Sequence, residues 1–511
     1  MYTVGLQSAA DAFLLSSLQV QVFLALCILF VLLVFGLDSN NVEGGSHSPV
    51  FLPGSHLLAI APFFQRRFEF LNDGFRKTGQ ALFQFSMLRA CGHFINGETV
   101  IVVSGETGRK AFFSNRAFDL TEGFKVLSGA IPVLRGVTSD LHTRSVALIH
   151  RRLHTAQKED HLAQLIMPIL DDCRCAMESW GVSGTIDPFE KIYELLFQTT
   201  VRSIASDDIA NDATLVARLK YLYDILDSGT TPATVLLPWL PTPSMLKKLW
   251  ATHQVYKIVG CAVDARIRSG ERRNDTLQLL VDAEDERLVM IGFIMGLLVA
   301  GARATGTAAS WLTTFLGNNP EWKHKATLEV ERLLAIYPPQ SNTTSLSAHL
   351  ASIPLEAWEG DAPVLDAVIH ETLRIAQPHT AMRRNLGPDT IIDSKTIPSG
   401  ALVVYPFSDV HLNPDIYPDP WKFDPNREAA KTPFGYLGWG GGKTVCVGQR
   451  LARLKLKLVI SMILLGFRYS MVDASGAILD TPPRPNWNDV LLCRPAKGTC
   501  FLRYDRSVLM L

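Results

Sequence analysis

Apolar residues recur at helical spacing along most of the chain. Between residues 107 and 257 this spacing predicts mostly helix, interrupted by a proline-rich run at 231–243. Residues 286–316 are apolar on nearly all sides, which predicts one long helix buried in the core. Further helices are predicted at 361–376 and directly after residue 448. The pattern predicts a fold that is mainly α, with a smaller β-rich region.

The β-rich region is predicted from two stretches. FINGETVIVVSG, at residues 94–105, contains an Asn-Gly pair between apolar runs, which predicts a strand pair with its turn at Asn96 and Gly97. Strand-like pairs also follow residues 382–385. Residues 337–354 are rich in Pro, Ser and Thr and predict a surface loop.

The N-terminal segment is the most apolar part of the chain. No residue from Ala12 to Leu37 is charged, and the segment is long enough to span a bilayer. A cleaved signal peptide is the alternative, but the segment lacks a basic start and a small-residue cleavage site. We expect a membrane anchor at residues 1–39, a polar linker at 40–53 and one catalytic domain over 54–511.

Composition adds little about partners. Lys and Arg together number 49, as do Asp and Glu, so no net charge attracts nucleic acid. The eight cysteines have no spacing typical of a metal site or a disulfide framework, and free thiols favour a catalytic domain in the cytosol.

The densest chemistry lies in FGYLGWGGGKTVCVG, at residues 434–448. Cys446 has no cysteine nearby, which argues against zinc, and a single thiolate is a strong ligand for heme iron. The glycines at 440–442 let backbone amides approach the sulfur, and Trp439 can cover the ring. A buried Cys446 in a plain glycine-rich turn is one alternative. A phosphate-binding loop is another, but Leu437 stands where its first glycine belongs.

This loop resembles the heme-binding motif of the cytochrome P450 family, F-x-x-G-x-R-x-C-x-G. Gly442, Cys446 and Gly448 match the motif. Trp439 stands where phenylalanine is usual, and Thr444 replaces the basic residue that usually contacts a heme propionate. The resemblance implies heme b with Cys446 as its axial ligand, in a cytochrome P450 fold preceded by a transmembrane helix.

Other motifs of the family appear in its order. Glu371 and Arg374 match E-x-x-R, and Arg427 in FDPNR matches its third partner, which implies that the three hold the chain leading to Cys446. Arg383 or Arg384 matches a propionate contact, and we assign Arg384 to the cofactor site; a surface ion pair is the alternative.

Two further propionate contacts are possible upstream. SDLHTRSVALIHRRL lies where the family has a helix with a tryptophan and a basic residue, and the tryptophan is missing here. His142 and Arg144 are possible substitutes, although a charged helix face turned to water is an equal alternative.

The long apolar helix departs from the family pattern A-G-x-[DE]-T-[TS]. Ala300 and Gly301 match, but Arg303 replaces the acid and Ala304 the first alcohol. Thr305 is then the nearest hydroxyl and the candidate catalytic residue; alternatively it bonds its own helix backbone.

The resemblance implies a monooxygenase that uses O2 and takes electrons from NADPH through NADPH-cytochrome P450 reductase. It also implies a single-pass location in the endoplasmic reticulum membrane. The motif details resemble fungal members that oxidise lipophilic molecules in secondary-metabolite biosynthesis. A heme-thiolate isomerase or dehydratase without a reductase, and a non-enzymatic heme-binding membrane protein, are the alternatives.

Overall fold

The structure is a computed structural model that describes residues 47–52, 60–91, 94–127, 143–229, 242–339, 345–489 and 492–507. The predicted membrane anchor at 1–39 and most of the linker at 40–53 lie outside the described residues. The domain boundaries therefore stay predictions.

Eighteen α-helices are described in these ranges. In chain order they are α1 (Ile60–Gln65), α2 (Arg67–Thr78), α3 (Gly105–Ser114), α4 (Leu120–Leu127), α5 (Thr143–Thr155), α6 (Glu159–Ser179), α7 (Pro188–Ile204), α8 (Asp207–Ala210), α9 (Ala213–Ser228), α10 (Pro243–Ser269), α11 (Thr276–Asp282), α12 (Arg287–Gly317), α13 (Pro320–Ile336), α14 (Leu346–Ala351), α15 (Leu355–Gly360), α16 (Pro363–Ile375), α17 (Ser408–His411) and α18 (Gln449–Gly466).

The strands form three small sheets. In chain order they are β1 (Val50–Phe51), β2 (Leu82–Cys91), β3 (Phe94–Val103), β4 (Phe118–Asp119), β5 (Ser183–Ile186), β6 (Thr380–Asn385), β7 (Thr390–Ile392), β8 (Lys395–Ile397), β9 (Leu402–Pro406), β10 (Phe467–Val472) and β11 (Phe501–Arg506). The largest sheet has the order β1-β2-β3-β9-β6-β4, the second β10-β11-β5, and β7 pairs with β8. The prediction of a mainly α fold with a smaller β-rich region is confirmed.

The long helix α12 is the centre of the main core, as its apolar sequence predicts. Trp311 and Phe315 are fully buried and stack with ring centroids 5.2 Å apart. Among the described residues, α12 is the one helix long and apolar enough to cross a membrane. Its packing inside the helical core accounts for that apolarity.

A glycine sets the distance between α7 and α12. A Cβ atom on Gly306 would lie 2.6 Å from Cδ2 of Tyr193, far closer than van der Waals contact allows. The Tyr193 ring of α7 therefore packs directly against the backbone of α12 at Gly306.

Two predictions about the polar segments are wrong. Asn96 and Gly97 do not form a turn: they lie inside β3, opposite Arg89 and Leu88 of β2, because pairing along two ten-residue strands outweighs the local turn preference. The segment 337–354 is not all surface loop either. It contains α14, whose Leu346 and Leu350 are buried in the core.

Candidate active site

The loop before α18 is held in shape by its own backbone. The Cys446 amide donates to the Trp439 carbonyl over 2.7 Å, and the Gly440 amide donates to the Leu437 carbonyl over 2.8 Å. Gly440 and Gly442 have φ values of 79° and 58°, a left-handed conformation that glycine adopts without strain. The glycines that the sequence analysis singled out therefore make the tight turn possible.

Cys446 combines solvent accessibility with a partly desolvated thiol. The residue is accessible to solvent, yet burial by the surrounding protein raises the pKa of the thiol, while the Gly448 amide acts in the opposite direction. Cys446 lies three positions before Gln449, the first residue of α18, close to the predicted helix N-terminus. Trp439 is partly buried and packs against the main core.

The predicted charge cluster forms around Glu371. Arg374 donates from Nε and Nη2 to the two Glu371 oxygens, each over 2.8 Å, and Arg427 donates from Nε to Oε1 over 3.0 Å. The Asp424 amide donates to the same oxygen over 3.1 Å. The Glu371 and Arg374 side chains are at most 3% exposed, so the carboxylate is compensated by fixed partners rather than by water.

His411 connects this cluster to the cysteine loop. Arg374 donates from Nη1 to the His411 carbonyl over 2.7 Å, and the Leu437 amide donates to His411 Nε2 over 2.9 Å. Burial, with the charge of Arg374, lowers the pKa of His411 to about 3, so its ring is neutral and can accept. The sequence analysis missed this residue, whose only signal was the HLNP sequence at residues 411–414.

The two arginines of β6 point to different partners. Arg384 donates from Nη2 to Glu98 over 2.9 Å and from Nη1 to the Gly400 carbonyl over 2.9 Å. Arg383 is buried and donates to Thr444 Oγ1 over 2.5 Å and to the Phe112 carbonyl. Its buried Nε has no hydrogen-bond partner in the part of the chain that the structure describes. The cofactor role given to Arg384 stays a prediction, and these contacts favour Arg383, the other residue of the pair.

Helix α12 presents one accessible face. Gly296, Val299, Ala300 and Ala304 are exposed in a helix that is otherwise mostly buried. At about 100° per residue they share one side, and Thr307 lies on the same side. Thr307 Oγ1 is buried and has no hydrogen-bond partner among the described residues.

The predicted hydroxyl has a different environment. Thr305 is 6% exposed and donates to the Gly301 carbonyl over 2.6 Å, on the side of α12 opposite the accessible face. This contact is the one expected from the alternative named in the sequence analysis, in which Thr305 bonds its own helix backbone. A catalytic role for Thr305 stays a prediction.

Arg303, which replaces the family's acid, is part of an ion pair between helices. Its Nε donates to Asp227 Oδ2 of α9 over 2.9 Å, and its Nη2 contacts the other oxygen of the same carboxylate. Arg303 therefore joins α12 to α9. His142 lies outside the described residues, and so does the side chain of Arg144 in α5.

The residues present fit a heme group. Cys446 offers an accessible thiol in a loop where Cβ atoms on Gly440 and Gly442 would meet backbone atoms of Thr444 and Phe113. The buried Arg383 has no carboxylate partner among the described residues, and its unpartnered Nε calls for an acceptor such as a propionate.

We predict that Glu371→Gln lowers the free energy of unfolding by about 3–5 kcal/mol, because Arg374 then stays buried without its counter-charge. Urea denaturation measures this loss. The matched control is Glu359→Gln, which breaks the exposed pair between Glu359 and Arg450 and should cost under about 1 kcal/mol. Equal losses in the two variants would contradict the assigned role of the cluster.

We predict that His411→Phe costs about 1–3 kcal/mol at pH 7, because the Leu437 amide loses its acceptor while the ring volume remains. The folded-state pKa of His411 is about 3, below the unfolded value of about 6.5. The stability from this histidine is therefore complete above pH 6.5 and is lost as the pH falls toward 3.

Urea unfolding at pH 7 and pH 5 tests this direction of the pH dependence of stability. The wild type should lose more stability than His411→Phe between the two values. A parallel loss in both proteins would exclude His411 as a source of acid sensitivity.

Comparisons with known proteins agree with this geometry. The family model described as Cytochrome P450 matches residues 187–499, more than half of the chain. The chain is 27% identical to Cytochrome P450 monooxygenase AacuE of Aspergillus aculeatus, over 84% of this chain and 87% of that protein. It is 29% identical to Cytochrome P450 monooxygenase nsrP of Aspergillus novofumigatus, over 78% and 79%. Human lanosterol 14-alpha demethylase is 26% identical, over 90% and 89%.

A solved structure supports the fold. The retinoic acid-bound cyanobacterial CYP120A1 superposes with a TM-score of 0.68 and 21% identity, over 90% of this chain and 99% of that one. A family model that covers more than half of the residues, together with P450 monooxygenases matched over most of their length, identifies this chain as a member of the cytochrome P450 family and a P450 monooxygenase.

Proposed function

We propose that this protein oxidises a lipophilic small molecule as a tailoring step in fungal secondary-metabolite biosynthesis. The observation that carries the proposal is the accessible Cys446 thiol in a glycine-built loop that a buried ion cluster holds in place. The relatives AacuE and nsrP, both fungal P450 monooxygenases, support the setting. The apolar, accessible face of α12 favours an apolar substrate.

Each part of the loop has a proposed role in binding the cofactor. We assign Cys446 as the thiolate ligand, with Trp439, Gly442 and Gly448 shaping the loop around it. Arg383, joined to Thr444, would hold one propionate, which offsets the loss of the family's basic residue at position 444. When bound, a heme with a thiolate ligand supplies the oxygen chemistry.

The remaining parts of the proposal concern the surroundings of the enzyme. Residues 1–39 would anchor it as a single-pass protein in the endoplasmic reticulum membrane, with the catalytic domain in the cytosol. The support is the uncharged stretch from Ala12 to Leu37. Electrons would come from NADPH through NADPH-cytochrome P450 reductase.

We predict that Cys446→Ser abolishes the red-shifted Soret band that a thiolate-ligated heme gives with carbon monoxide after reduction. The control is Cys261→Ser, which changes an exposed cysteine elsewhere and should keep the band. A normal band in the Cys446 variant would refute the ligand assignment. Turnover that ignores NADPH would instead indicate a heme-thiolate isomerase.

We predict that Thr307→Val raises the C–O stretching frequency of carbon monoxide bound to the reduced protein, because we expect the buried Thr307 hydroxyl, on the same side of α12 as the accessible residues, to turn to the ligand as its donor. Thr307→Ser keeps the hydroxyl and should keep the frequency. Thr313→Val is the control, since its hydroxyl donates to the Ala309 carbonyl over 2.9 Å, as Thr305 does to Gly301.

Infrared spectra of the three variants and of Thr305→Val separate the two candidate hydroxyls. If the shift occurs in Thr305→Val and not in Thr307→Val, the residue predicted from the sequence is the one that faces the ligand. A shift in Thr313→Val as well would mean that the frequency reports on helix packing.

A further inference from the structure

Six arginines of the described residues are at most 9% exposed, and four of them have a carboxylate partner. Arg109, Arg202, Arg266 and Arg374 pair with Asp409, Asp172, Asp275 and Glu371. Arg383 and Arg67 do not. Arg383 is accounted for by the propionate proposed above, which leaves Arg67 as a buried cation without an anion. A buried, uncompensated charge costs several kcal/mol, so a retained one indicates a missing partner.

The surroundings of Arg67 leave part of its guanidinium available. Arg67 is the first residue of α2 and is 6% exposed. Its Nε donates to the Phe63 carbonyl over 3.0 Å, and its guanidinium carbon lies 4.7 Å from the centre of the Phe63 ring. Burial lowers the pKa of Arg67 to about 10, so it is charged at pH 7. Neither terminal nitrogen of Arg67 has a hydrogen-bond partner among the described residues.

Packing of α2 places Arg67 beside the segment that follows α16. The Phe68 ring lies 5.8 Å from the ring of Trp487, and the Glu69 amide donates to Asn488 over 3.1 Å. Trp487 Nε1 in turn donates over 2.8 Å to the carbonyl of Ile375, which is the last residue of α16. The chain then runs to His379, directly before β6, the strand that carries Arg383.

His379 is the exposed histidine of this segment. Desolvation by nearby protein and the charge of Arg67 lower its pKa to about 4. It packs edge-on against Phe407 with centroids 4.9 Å apart and has no hydrogen-bond partner among the described residues. At pH 7 it is neutral and can donate one hydrogen bond.

We infer that Arg67 and His379 form a recognition site for the carboxylate of a lipophilic substrate. A guanidinium with two free terminal nitrogens matches the two oxygens of a carboxylate, and the neutral imidazole adds a donor. The phenylalanine rings around Arg67 suit an apolar body attached to that carboxylate. The inference rests on the proposed function, because it names the class of molecule that the enzyme oxidises.

The test compares dodecanoate with dodecanol, two probes that differ in the carboxylate. Calorimetric titration of the holoenzyme should show tighter binding of dodecanoate. Arg67→Gln should weaken dodecanoate binding about 10-fold or more, the value of a charged hydrogen bond, and leave dodecanol within about twofold. His379→Phe should weaken dodecanoate less. Arg66→Gln is the matched control, because Arg66 is the neighbouring residue and its side chain is 66% exposed.

Two outcomes would overturn the inference: no preference for dodecanoate in the wild type, or an equal loss in Arg66→Gln and Arg67→Gln. Thermal unfolding without ligand gives an independent answer. Arg67→Gln should be as stable as the wild type or more stable, because it removes an uncompensated charge. A large destabilisation would make Arg67 a structural residue. The carbon monoxide spectrum distinguishes failure of this inference from failure of the proposed function. All these variants should keep the thiolate band even if the carboxylate site is absent.

Discussion

The structure of the site depends on one buried carboxylate, Glu371. Two arginines, Arg374 and Arg427, and one backbone amide compensate its charge inside the protein. A buried ion pair stabilises little by itself, but it tolerates little movement, since displacement of any partner leaves a charge without compensation. The same arginine that neutralises Glu371 fixes the His411 carbonyl, and His411 fixes the Leu437 amide. The position of the cysteine loop thus follows from an electrostatic constraint on α16.

This constraint explains how the loop keeps its shape with one short 3-10 turn, Gly442–Thr444, as its regular secondary structure. The Leu437 amide donates to His411 and the Leu437 carbonyl accepts from Gly440, while a second bond joins the Cys446 amide to the Trp439 carbonyl. A loop held only by its own turns would sample several conformations, and a metal ligand needs one. Neutral His411 is the link that makes the chain continuous, because a protonated ring has no acceptor for the Leu437 amide.

Sequence patterns predicted the parts of this arrangement that local spacing determines. The spacing of Glu371 and Arg374 on one helix, and the apolar stretch that became α12, are such parts. Patterns did not predict contacts made between distant segments. The Leu437 amide meets His411 only in the folded chain. Asn96 and Gly97 favour a turn locally, but pairing of β3 with β2 along its whole length places them in a strand. The choice between Arg383 and Arg384 depends on which face of β6 is buried.

Two buried arginines connect the proposed cofactor site with the proposed substrate site. Arg383 and Arg67 are both buried and have no carboxylate partner among the described residues. Arg303 shows the opposite arrangement: Asp227 takes two of its nitrogens and ties α9 to α12. A guanidinium held in this way does not release a proton at neutral pH. Arg303, in place of the family's acid, therefore removes a proton donor and adds an ion pair between two helices. In the proposed assignment, the polar groups left on the accessible side of α12 are hydroxyls and solvent, and bound anions complete the charge balance of Arg383 and Arg67.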